Sequence, residues 1–250
     1  MKISIITVVW NSNDTVRDAI ESVLGQTYEN IEYIIIDGAS TDGTIEIIRS
    51  YSEKISKFVS EPDQGIYDAM NKGLALATGD IVGILNSDDF YSANDILESV
   101  VNEFDRSMVD CLYGDLVYVN ATDTSQIVRF WKSKIYVPGA FKKGWHPAHP
   151  TFFVRRECFE KYGVFNLNFK IAADYELMLR FLEKYQLKSL YLNKTFVKMR
   201  VGGESNRNLK NIIRANLESY KAWKTNNLKV SPFIFFIKPL SKIVQFIKKH

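Results

Sequence analysis

Three short apolar runs constrain this chain more than any other feature. Residues 3–9, 31–36 and 81–85 are brief, mostly β-branched and bounded by turn-forming residues, the pattern of strands buried on both faces; 57–60, Lys-Phe-Val-Ser, reads as a further short strand. Helical periods separate them. Val16, Ala19, Ile20, Val23 and Leu24 draw one apolar helix face; Ile45, Ile48 and Tyr51 suit a second. Ile66, Ala69, Met70 and Leu74 make a third, and Ile96, Leu97, Val100, Val101 and Phe104 a fourth. Strand alternating with helix through about residue 105 predicts an α/β fold, a mostly parallel central sheet flanked by helices. Ligands of such sheets bind outside the carboxyl ends of the strands.

The run 81–85 ends in Asn86-Ser87-Asp88-Asp89. Two adjacent carboxylates repel, so they suit a place where a cation neutralises them. Hard oxygen ligands favour Mg²⁺ or Mn²⁺, ions that in turn bind phosphates. A strand-to-helix turn with Asp as turn former satisfies the same residues. No Gly-x-Gly-x-x-Gly follows the first strand and no Walker-type loop occurs, which leaves carboxylates and a metal as the means of holding phosphate.

A net charge of +3 over 250 residues is too mild for a nucleic-acid partner. Cys111 and Cys158 have no metal or redox spacing and read as buried thiols in a reducing compartment. No signal peptide and no bilayer-spanning apolar run are visible, so a cytoplasmic location is expected.

Several ordered motifs carry a family resemblance. They are Ser4-Ile5-Ile6-Thr7 with Asn11, Ser22-Val23-Leu24-Gly25-Gln26-Thr27-Tyr28, and Ile36-Asp37-Gly38-Ala39-Ser40-Thr41-Asp42-Gly43-Thr44. Asn71-Lys72-Gly73, Ala77-Thr78-Gly79-Asp80 and Asn86-Ser87-Asp88-Asp89 follow. Together they resemble glycosyltransferase family 2 with the GT-A fold. The run 60–73, Ser-Glu-Pro-Asp-Gln-Gly-Ile-Tyr-Asp-Ala-Met-Asn-Lys-Gly, resembles a bacterial subgroup that builds surface polysaccharides.

That resemblance implies a nucleotide-sugar donor bound by Thr7, Val8, Asn11, Asp37, Asn71, Asn86, Ser87, Asp88 and Gly203. It implies Mn²⁺ or Mg²⁺ held by Asp88, with Asp89 as second candidate, because Asn86 stands uncharged at the first position of the family's Asp-x-Asp. The family often has a second acid where this chain has Gly38; Asp37 is left as the base- or ribose-facing candidate, beside a local reading as an Asx turn. Residues 201–205, Val-Gly-Gly-Glu-Ser, resemble the family's closing loop over the donor phosphates.

The second half offers acceptor candidates. Residues 111–119 read as a strand and 127–137 as an extended segment. The loop 139–150 mixes aromatic and basic residues, and such loops concentrate contacts. Trp145 offers a flat face for a sugar ring; His146 and His149 suit a phosphate or an acceptor hydroxyl, and equally a packed role. Asp174 starts a helix whose buried face is Leu177, Met178, Phe181 and Leu182. On local grounds it is an N-cap; the resemblance makes it the general base of an inverting transfer to a glycan or lipid-linked acceptor. Two domains are expected, a glycosyltransferase domain over 1–205 and a basic, apolar helical tail over 206–250. The tail suits peripheral contact with the inner face of the cytoplasmic membrane, or docking on its own domain or on a partner. Two alternatives share the sheet logic: a sugar nucleotidyltransferase, and a non-catalytic glycan- or membrane-binding subunit.

Overall fold

The computed structural model describes residues 1–202 and 209–230. Chain order begins β1 (Ile3–Val9), α1 (Val16–Leu24), β2 (Ile31–Asp37), α2 (Thr44–Arg49), β3 (Lys57–Ser60), α3 (Ile66–Leu76) and β4 (Ile81–Asn86). These are the expected elements, to within a residue or two at most ends. β1 runs parallel to both β2 and β4, and β2 parallel to β3. Ile3 of β1 sits level with Ile31 and Ile81, so all three strands release their chain at one edge.

Beyond β4 the sheet is mixed. β5 (Asp89–Tyr91), α4 (Ile96–Arg106), β6 (Cys111–Val119), β7 (Ile127–Trp131), β8 (Phe153–Arg155), α5 (Arg156–Tyr162), α6 (Ala173–Leu179), β9 (Ser189–Arg200) and α7 (Leu209–Thr225) complete the described elements. The spatial order is β3-β2-β1-β4-β8-β6-β9-β5, with β7 on β6. β8 pairs antiparallel with β4 and β6, β5 antiparallel with β9, and β9 parallel with β6. The three-residue strands β5 and β8 leave no period to recognise in sequence; partners define them. Of the extended segment expected over 127–137, only Ile127–Trp131 finds a partner strand. Gly83 explains the switch at β4: a Cβ there would lie 2.3 Å from Phe153 Cε1 of β8, so only glycine permits this approach.

Alternation along the strands splits the core. Ile6, Val8, Ile34 and Ile36 face one side, with Met70 and Leu74 of α3, Leu177 of α6 and Trp223 of α7. Ile3, Ile5, Val9 and Ile35 face the other, with Ile20 of α1, Ile48 of α2 and Val100 of α4. Trp223 is 1% exposed, so residues from the expected tail belong to the core of the domain. Among the described residues no helix is long and apolar enough to cross a membrane. The rest of the tail, residues 231–250, lies outside the described residues.

Candidate active site

The carboxyl ends of β1, β2 and β4 open onto a cleft of about 890 Å³. Parallel strands all point their last carbonyls and side chains at this edge, where helices begin. Of the sequence candidates, Val8, Asn11, Asn86, Ser87, Asp88, His149 and Asp174 line the cleft. Trp10, Gly38, Asp63, Tyr67 and Lys170 line it as well.

At the end of β1, Trp10 is 69% exposed. Asn11 follows with φ of 48°, a left-handed conformation that Asn tolerates. The turn is tied to the β2 loop: the Asn11 amide donates to Ser40 Oγ at 2.8 Å, and Asn11 Oδ1 accepts from the Thr41 amide at 3.0 Å. Ser12 and Ser87 share a hydroxyl contact of 2.8 Å, joining this turn to the acidic one.

The two acids of the turn part company. Asp88 faces the cleft and has no ion-pair partner among the described residues. Burial pushes its carboxyl above the usual carboxylate range, against the pull of Arg200 and His149. Arg200, itself buried, holds the turn from behind: it donates to the Asp88 carbonyl at 2.8 Å and pairs with Asp18. Asp89 begins β5, turns inward and is fully buried. It accepts one bond, from Asn86 Nδ2 at 3.0 Å. Asp89 Oδ1 and Asn86 Oδ1 are buried with no hydrogen-bond partner. Burial, then the charge of Asp88, pushes Asp89 well above the usual range. Asp89 does not line the cleft, because its place in the β5–β9 pair aims it into the interior.

Among the described residues no three His, Cys, Asp or Glu side chains group to hold a metal. The donor set still fits a divalent ion: a desolvated, unpaired carboxylate beside a cleft large enough for phosphates gains from a cation. Asp88 would hold it, with phosphate oxygens and water completing the shell.

In the same cleft, Asp174 is gripped on both oxygens. His149 Nδ1 lies 3.1 Å from Oδ2 and the Tyr67 hydroxyl 3.0 Å from Oδ1. Tyr67 also reaches the Ile171 carbonyl at 2.8 Å. Burial, then the neighbouring Asp174 charge, keeps the Tyr67 phenol well above its ordinary range, so it stays a donor. The N-cap reading of Asp174 does not hold: no side chain of the N-cap residue caps α6, and the Asp174 carboxylate turns to Tyr67 and His149 instead.

Other candidates sit elsewhere. Asp37 is fully buried and accepts from the Ser40 amide at 3.0 Å, the Ser40 hydroxyl and the Ser60 hydroxyl at 2.7 Å. It ties the loop, as an Asx-type turn does, and does not line the cleft. The carboxylate in that region is Asp63. A Cβ on Gly38 would lie 2.4 Å from Asp63 Oδ2 and 3.4 Å from Trp10 Cδ1, so the absent side chain at 38 makes room for Asp63 beside the indole. Thr7 is interior and accepts from the Tyr33 hydroxyl at 3.1 Å. Asn71 exchanges two bonds with the Phe165 backbone, at 2.9 and 3.0 Å. Trp145 packs on Tyr113 under Lys134, and His146 packs between Trp131, Phe141 and Tyr175. Neither Trp145 nor His146 lines the cleft. Gly203 lies outside the described residues.

Sequence reasoning assigned no role to Tyr67, Asp63 or Trp10. The first two sit inside the quoted run 60–73, which was the available signal; Trp10 shows itself only as an exposed indole at a strand end.

The glycosyl transferase family 2 model matches residues 4–163. An uncharacterized glycosyltransferase of Mycobacterium tuberculosis is 32% identical over 187 residues, 71% of this chain and 68% of the relative. A PGL/p-HBAD biosynthesis glycosyltransferase of Mycobacterium bovis is 29% identical over 76% of this chain and 73% of its own. Among solved structures, S. aureus TarS in complex with UDP-GlcNAc superposes with a TM-score of 0.70 at 18% identity, over 90% of this chain. This chain spans 65% of that one. The mannosyltransferase PcManGT of Pyrobaculum calidifontis, in complex with GDP-Man and Mn²⁺, gives 0.65 at 20% identity, over 95% and 68%.

Proposed function

The chain belongs to glycosyl transferase family 2, and from that membership we propose that it moves a sugar from a nucleotide diphosphate to an acceptor hydroxyl with inversion at the anomeric carbon. The observation that carries this reading is the presence in one cleft of an unpaired carboxylate, Asp88, and a doubly held one, Asp174. The first suits the leaving diphosphate and the second the incoming alcohol. The donor complexes of TarS and PcManGT support a nucleotide sugar as the donor class.

Asp174 takes the proton of the acceptor hydroxyl as its oxygen attacks. His149 and Tyr67 fix the carboxylate plane, and each oxygen keeps a lone pair for the proton. A divalent ion at Asp88, as in the Mn²⁺ complex of PcManGT, would supply charge neutralisation for the departing diphosphate. Arg200 holds the backbone that carries Asp88, so the carboxylate meets the phosphates without reorganising. Trp10 and Asp63 line the cleft and suit a base: the indole would offer a stacking face, and Asp63 Oδ2 would accept from a ring N–H. A single displacement needs one base and no enzyme nucleophile, and of the cleft carboxylates Asp174 is the one held by both His149 and Tyr67. The PGL/p-HBAD biosynthesis named for the Mycobacterium bovis relative supports a glycan or lipid-linked acceptor.

Titration calorimetry with UDP and GDP, each with and without Mn²⁺, tests the reading. Metal-linked binding that disappears in Asp88→Ala is expected. Absence of metal-linked binding for either nucleotide would favour a scaffold subunit. Diphosphate rather than nucleoside diphosphate as the released product would favour a nucleotidyltransferase.

A further inference from the structure

Behind Asp174 lies a second carboxylate that the reaction does not touch. Glu218, on α7, is buried, and its Oε2 accepts from three successive backbone amides, Lys170 at 2.9 Å, Ile171 at 2.8 Å and Ala172 at 3.0 Å. Its other oxygen accepts from Arg214 at 3.0 Å. Burial opposes the Glu218 charge, yet the amides and Arg214 outweigh it and hold the carboxyl below its usual range. The three amides lead straight into α6, two residues before Asp174.

We propose that Glu218 is the positioning residue of the catalytic carboxylate: from α7 it sets the loop 170–172 and thereby the place of Asp174 in the cleft it shares with Asp88. The proposal rests on Asp174 acting as the base. Three features support it. The amides of Lys170, Ile171 and Ala172 precede the first turn of α6 and have no partner within the helix, so a buried carboxylate among them satisfies all three. The carboxylate that does so arrives from α7, 46 residues away from Ala172. The loop is also coupled to the base itself, because the one Tyr67 hydroxyl proton is shared between the Ile171 carbonyl and Asp174 Oδ1. α7 repeats the grip one turn on, Trp223 Nε1 donating to the Tyr175 hydroxyl at 3.0 Å and Asn226 Nδ2 to Glu176 at 2.8 Å. Lys170 and Ile171 line the cleft, so a loop released from Glu218 moves the cleft wall as well as the base.

The test uses the full chain and needs no substrate. His149 is one of three histidines, and its imidazole NMR signal at fixed pH reports its 3.1 Å contact with Asp174. Asp174→Asn moves that signal and defines the full effect. Glu218→Ala is expected to move it at least half as far, in the same direction, while the amides of β2 keep their positions. Exchange of the Ile171 and Ala172 amides is expected to quicken by about 100-fold. Glu218→Asp, charged but shorter, is expected to restore part of both. A Glu218→Ala protein with lowered thermal stability but the wild-type His149 signal overturns the proposal, since Glu218 would then be structural only. If Glu218→Ala does not fold, Glu218→Gln decides on the same two readouts, its neutral oxygen filling the site weakly. Undiminished turnover in Asp174→Asn would remove the base role and leave the outcome for the loop legible on its own.

Discussion

Two buried carboxylate sites occupy opposite ends of the same parallel strands, and they are built on opposite terms. At the amino end, Glu32 of β2 is 4% exposed. It accepts from Ser4 Oγ at 2.6 Å, the Thr78 amide and hydroxyl at 2.7 Å each, Lys57 at 3.0 Å and Lys2 at 3.1 Å. Burial works against its charge, and the bonds from Ser4, Thr78 and Lys57 win, so the carboxyl stays far below its usual range. At the carboxyl end, Asp89 accepts one bond, leaves one oxygen without a partner, and stands beside the unpaired Asp88. There burial wins and both carboxyls are pushed up. A buried charge that is fully bonded closes a structure, whereas one left short of partners has capacity for something the protein itself does not contain. The direction of the strands decides which end is which.

Changes at four positions break or sharpen that contrast. Asp174→Asn has the largest expected effect, a loss of transfer of about 1,000-fold with nucleotide diphosphate binding kept, read by product release and calorimetry. Next, Glu32→Ala strands the donors of Ser4 and Thr78 and is expected to lower unfolding free energy by about 3 kcal/mol, measured by urea denaturation. The pH sign follows from the lowered carboxyl. Its stabilisation is complete above the unfolded value of about 4.3 and fades as pH falls toward the lower folded value. Glu32→Gln should therefore flatten the acid limb of the stability curve, and an unchanged limb would remove the assignment.

Asp88→Ala is expected to weaken Mn²⁺-linked nucleotide binding about 30-fold while leaving metal-free binding alone, by titration calorimetry. The smallest effect has the opposite sign to that of Glu32. Asp89 has a raised folded value, so its contribution is present at low pH and is lost as pH rises through that value. Asp89→Asn should then raise the stability of the metal-free chain at neutral pH by about 1 kcal/mol. A loss of stability there would show that the ionised form is the one the fold accommodates.

Much of this was legible in the residues. The strand–helix alternation gave β1 to β4 and α1 to α4, because buried parallel strands and amphipathic helices write their periods locally. The turn 86–89 stood out for its charge. What stayed hidden concerns direction. Asp88 and Asp89 are neighbours in sequence, yet one faces the cleft and the other is locked inward by the pairing of β5 with β9. Asp37 looked available and is consumed by Ser40 and Ser60. Asp63 and Tyr67 come to the site only because α3 packs across β1 and β2, and His149 because the segment before β8 passes under α6.

From sequence alone came the parallel half of the sheet, the edge at which such sheets bind and the residue types gathered there, since hydrophobic period and turn chemistry act over a few residues. The tertiary structure decided which carboxylate stays unpaired, which is gripped by His149 and Tyr67, and which, from α7, holds the loop before the base. Hydrogen bonds between residues 46 to 107 positions apart settle such matters, and no local pattern encodes a partner that distant.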